Sequence, residues 1–173
     1  MSAFEVSLYF NWSLATATIP NITIRKFGIL LPVLFPSMSN NLIFVHGWAS
    51  SPGVWLPIQN LLPESVVVTK IALPWCSNPT VSADFTNLEE YLEALDQKMP
   101  RSGIWIGWSL GGLLAIAYAL RFPDKVKQLV LIGSAIKFVN DATWDHSINE
   151  QQFEQFYDQF KLNPRSALKW FIA

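Results

Sequence analysis

Ile104-Trp105-Ile106-Gly107-Trp108-Ser109-Leu110-Gly111-Gly112-Leu113 is the stretch from which the rest of the chain can be read. Ile104 to Gly107 is short, apolar and β-prone, and predicts a buried strand. Leu110 to Arg121 is an apolar helix, which Phe122-Pro123 ends. Between them, Gly107-Trp108-Ser109-Leu110-Gly111 matches G-x-S-x-G. The spacing has a steric reason. A serine on a very sharp strand-to-helix turn leaves no room for side chains two positions before or after it, and glycine removes them. Such a turn lifts the hydroxyl above the sheet edge, near a helix N-terminus whose N–H groups favour negative charge. Ser109 is therefore the expected nucleophile; the bland alternative is a glycine-rich turn with no chemistry.

Working outward, strand and helix alternate. Leu42-Ile43-Phe44-Val45 predicts a buried parallel strand running into a tight turn at His46-Gly47. Residues 54–62 have apolar residues at helical spacing behind Pro52, and Ser65 to Leu73 holds a second strand. Pro74 to Pro79 reads as a loop. Thr86-Asn87-Leu88-Glu89 reads as a capping box opening a helix to about Lys98, with Leu88, Tyr91, Leu92 and Leu95 as its buried stripe. Val126 to Ile132 is the strand after the apolar helix, ending at Gly133-Ser134. From about Asn149 the texture changes to a polar helix striped with Phe153, Phe156, Tyr157 and Phe160, and Asn163-Pro164 begins another. Alternation of this kind implies an α/β fold, a mostly parallel sheet with helices on both faces.

Composition narrows the function classes. With 173 residues, 51% of them apolar and 14% charged, the chain is long enough for one real core and too apolar for disorder. A net charge of −1 offers no nucleic-acid surface or polybasic patch. One cysteine, Cys76, excludes an internal disulfide and a cysteine-rich zinc site, in keeping with a cytoplasmic location. No metal or cofactor is expected. The eight tryptophans suit either core or an apolar pocket.

Residues 1–37 stand apart. They lack the basic start of a signal peptide, and Phe27 to Phe35 is about half the length of a membrane span and interrupted by Pro32. Two readings stay open: residues 4–10 and 22–31 are opening strands, or Met38 is the natural start and 1–37 an extension. The remainder divides into a core over 38–148 and the beginning of a helical lid over 149–173.

These features resemble the α/β-hydrolase superfamily. More narrowly, Val45-His46-Gly47-Trp48, the stretch from Ile104 to Leu113, and Phe122-Pro123-Asp124-Lys125-Val126 are similar to the pimeloyl-[acyl-carrier protein] methyl ester esterases of biotin synthesis. A tryptophan on both sides of the serine site is more specific than the serine motif alone. The resemblance covers about residues 40–173 and implies an acyl-enzyme on Ser109. It implies an oxyanion hole from the backbone N–H groups of Trp48 and Leu110, both touching the acyl carbonyl. It also implies Phe171 lining an acyl channel from the lid. The implied substrate is a pimeloyl methyl ester on acyl-carrier protein, the acidic carrier being gripped by basic lid residues, for which Arg165 and Lys169 are the nearby candidates.

The chain also departs from the family. Ala72-Leu73-Pro74-Trp75-Cys76 stands where relatives carry Asp-Leu-Pro-Gly, and Cys76 reads as a loop thiol, not a nucleophile. Relatives continue through two more strands that deliver an acid and then a histidine. Here there are only His46, expected to organise its loop, and His146, beside Asp145 in a polar connection. Neighbours in sequence are not expected to face each other as base and orienter. The expectation is thus an esterase lineage truncated before its last strands, inactive on its own, with an open sheet edge after the fourth strand. The alternatives are a non-catalytic acyl-binding module, or another esterase or acyltransferase of the superfamily.

Overall fold

The computed structural model describes residues 4–9, 22–26, 41–81, 85–142 and 144–172. The apolar run from Phe27 to Phe35 and the proposed start at Met38 lie outside them. Two compact units are present, Met1–Ser134 and Ala135–Ala173.

The first unit is built on one six-stranded sheet. Its strands are β1 (Phe4–Tyr9), β2 (Ile22–Lys26), β3 (Asn41–Val45), β4 (Val67–Ile71), β5 (Gly103–Trp108) and β6 (Val126–Ile132). They lie in the order β2-β1-β6-β5-β3-β4, and every neighbouring pair is parallel. The helices are α1 (Leu56–Gln59), α2 (Leu88–Asp96) and α3 (Leu110–Arg121), with 3-10 turns at Pro52–Trp55 and Pro123–Lys125. Successive strand residues feed opposite faces. Ile43, Val45, Trp105, Leu129 and Leu131 join Tyr91, Leu92, Leu95, Leu114 and Tyr118 in one core. Leu42, Phe44 and Ile104 pack on Trp55 on the other. Because both faces are covered there, the central strands β3 and β5 read as largely apolar runs.

Several expectations are corrected. The edge after the fourth strand is not open: β1 runs along β6, pairing Glu5 with Gln128 through Tyr9 with Ile132. Among the described residues, β4 and β2 are the outermost strands of the sheet. The helix expected over 54–62 is a 3-10 turn followed by the single turn of α1, because Pro57 lacks an N–H and the backbone past Gln59 closes by i to i+3 bonds such as Leu62 N–H to Gln59 O (3.1 Å). The cap of α2 is Asn87, not Thr86: its side chain accepts from Glu90 N–H at 2.9 Å, while the Glu90 carboxylate accepts from Thr86 N–H at 3.2 Å. Leu88 is consequently the first helical residue, at the outer end of the helix. It is 55% exposed and does not join Tyr91, Leu92 and Leu95 in the core.

The second unit holds α4 (Glu150–Leu162) and α5 (Pro164–Ile172). Asn149 and Gln152 form a full capping box on α4, as N-cap and third helical residue. Phe156 of α4 meets Phe171 of α5, ring centres 6.0 Å apart.

Candidate active site

Ser109 occupies the joint between β5 and α3 with φ 54° and ψ −123°, a conformation L-residues avoid. Main-chain bonds hold it there. Its N–H donates to Ile132 O at 2.9 Å, and its carbonyl accepts from Gly112 N–H and from the Ser134 hydroxyl, each at 2.9 Å. Its own side chain makes no capping bond to α3. Ser109 is half-buried at the carboxyl end of the sheet.

The glycines matter for the reason the spacing suggested. A Cβ on Gly107 would lie 2.5 Å from Gly112 Cα, inside the following helix. One on Gly111 would strike the main-chain oxygens of Val45 and His46. A third requirement was not singled out from the sequence. A Cβ on Gly47 would come 3.2 Å from Ser109 Cβ, so the loop after β3 presses directly against the serine. The only signal was the His-Gly pair ending an apolar run.

Trp48 follows Gly47 on the β3 loop, and Leu110 opens α3, where the first N–H groups of a helix have no intrahelical acceptor. Both residues are partly exposed. Ala49, next in the loop, has φ 56°.

His46 is fully buried. Its Nε2 accepts from Leu73 N–H at 3.2 Å, so Nδ1 carries the proton and donates to Gly47 O at 2.9 Å. Burial, only partly offset by that bond to Gly47, holds its pKa below the usual 6.5. It is a neutral brace between the loops after β3 and β4. His146, in the second unit, is 55% exposed by side chain, and its Nδ1 lies 3.2 Å from Asp145 Oδ1. The two neighbours touch on an irregular connection, not on a rigid element. Phe171 is 46% exposed on α5. Arg165 and Lys169 are exposed on the same helix.

A parallel sheet with a strained serine between strand and helix, and a glycine loop against it, is the local geometry of the strand–serine–helix turn in the alpha/beta hydrolase fold. The chain belongs to the alpha/beta hydrolase fold family, whose model matches residues 40–169. Among curated proteins it is 35% identical over 138 residues to a pimeloyl-[acyl-carrier protein] methyl ester esterase of Aromatoleum aromaticum, covering 77% of this chain and 54% of that one. It is 33% identical to the enzyme of the same name from Vibrio cholerae, covering 77% and 51%. A biotin biosynthesis bifunctional protein BioHC of Cellvibrio japonicus is 32% identical, over 76% of this chain and 26% of that protein. Among solved structures, an esterase from Exiguobacterium antarcticum superposes with a TM-score of 0.62 at 21% identity, covering 76% of this chain and 52% of that one. The last match concerns the fold alone. The chain spans about half the length of the pimeloyl esterases it matches.

Proposed function

We propose that this chain carries the nucleophile half of a serine carboxylesterase acting on the methyl ester of a pimeloyl chain held by acyl-carrier protein, as in biotin synthesis. The observation that carries the proposal is Ser109 at φ 54°, ψ −123°, with Gly47 packed against its Cβ. The names of the relatives support the substrate. Ser109 Oγ attacks the ester carbonyl, the Trp48 and Leu110 N–H groups receive the oxyanion, and methanol leaves to give an acyl-enzyme that water then hydrolyses. Phe171 lines the acyl channel, and Arg165 and Lys169 face the acidic carrier.

The chemistry needs a base to take the serine proton. His46 is buried and engaged on both ring nitrogens, and His146 is paired with Asp145 on a connection in the other unit. We therefore assign the base and its acid to residues beyond these 173. The same accounting favours a second reading, a module that binds acyl chains without cleaving them. The DNA beyond codon 173 discriminates: the esterase reading expects a strand ending in aspartate and then a Gly-His turn. In a chain carrying them, a fluorophosphonate probe should label Ser109 and not the Ser109→Ala variant. Absence of label there overturns the esterase reading.

A further inference from the structure

We propose that Trp75 and Cys76 are positioning residues that lock the oxyanion loop, a role that rests on the esterase reading above. Pro74 pre-sets a tight turn from Leu73 to Cys76, closed by Cys76 N–H to Leu73 O at 2.9 Å. The turn presents three donors to the loop after β3. Leu73 N–H reaches His46 Nε2 at 3.2 Å, and Trp75 Nε1–H reaches Ser50 O at 3.3 Å. The Cys76 thiol donates to Ser50 O at 3.8 Å, and its sulfur lies 3.4 Å from His46 Nε2, whose lone pair is taken by Leu73 N–H. The Trp75 indole also meets the His46 ring edge-on, centres 5.9 Å apart.

These bonds bracket Trp48. His46 lies two residues before it and Ser50 two after, and between them Ala49 holds a left-handed conformation that is strained for a non-glycine residue. Backbone strained in this way relaxes unless its flanks are tied down. Trp75 and Cys76 supply the tie at Ser50, while Leu73 N–H and the Trp75 ring hold His46. The donor direction of residue 48 thus depends on a turn contributed by another strand.

The test uses the whole chain with Trp75→Phe, which keeps the ring and loses the N–H, together with Cys76→Ala and Cys76→Ser. Amide exchange over residues 47–51, followed by mass spectrometry, should speed up about tenfold in Trp75→Phe and Cys76→Ala. The thermal midpoint should hold, and Cys76→Ser, which keeps a donor, should restore slow exchange. Unchanged exchange in both loss variants overturns the proposal, as does loosening spread evenly through the sheet. Phosphonylation of Ser109 by a fluorophosphonate, timed in the same variants of a chain completed with its base, should slow several-fold. If the parent chain completed with its base is not labelled at all, the esterase reading falls, while amide exchange still decides whether the turn locks the loop.

Discussion

Ser109 is held where glycine would rest more easily, and that makes its strain measurable. Replacement by alanine removes the hydroxyl but keeps the Cβ that the backbone at φ 54° disfavours; replacement by glycine removes both. Ser109→Gly should therefore be more stable than Ser109→Ala by about 1 kcal/mol, read as a higher denaturation midpoint. Equal stability of the two would mean that the turn is not strained. His46 gives a pH-dependent counterpart. Its folded-state pKa lies below the unfolded value near 6.5, so the unfolded chain binds the proton more readily. Stability from keeping it neutral is complete above pH 6.5 and declines as pH falls below it, until the folded-state pKa is reached. Denaturant titrations across that range should show the decline, and a His46→Gln variant should flatten it.

At the scale of elements, α2 and α3 are joined by a polar knot at the rim of the core. The buried Tyr118 donates to Asp96 Oδ1 at 2.7 Å, and Lys125 lies 2.6 Å from the same carboxylate. Burial alone would raise the Asp96 pKa. The hydrogen bonds from Lys125 and Tyr118, with the charges of Lys125 and Arg121, outweigh it and bring the pKa below its usual 3.8. A depressed carboxylate pKa contributes stability that is present above about pH 4 and lost as pH falls through the folded-state value. Tyr118→Phe should cost about 1 kcal/mol at neutral pH and lessen the acid-induced loss, because it removes one of the bonds that holds the carboxylate ionised. Acid titration of stability in both proteins checks this. The cap of α2 shows how local signals mislead by one residue: threonine and asparagine are both good caps, and only the hydrogen bonds distinguish them.

For the molecule as a whole, the sheet edges are the exposed liability. Among the described residues β4 ends the sheet on one side, with Val67 56% exposed. The 173-residue chain should therefore self-associate with rising concentration. Val67→Lys should reduce the association by placing a charge on that edge, as sedimentation velocity would show. Equal association of the parent and the variant would direct attention to the other edge or to the apolar side chains of α4 and α5.

The Gly-x-Ser-x-Gly turn, the buried strands β3 to β6 and the helix after the serine were legible in the sequence. Each rests on a local rule: apolar runs where both faces are covered, and glycine where a Cβ has no space. The family resemblance followed from the same residues. The pairing of β1 along β6, the pressure of Gly47 on Ser109 and the clasp of the Leu73–Cys76 turn on the loop after β3 were not legible. They depend on which distant segments become neighbours, and strand periodicity says which face a residue takes without saying which strand lies beside it. The residue types at the serine turn follow from steric rules of the backbone, whereas the partners of that turn are chosen by packing across the sheet.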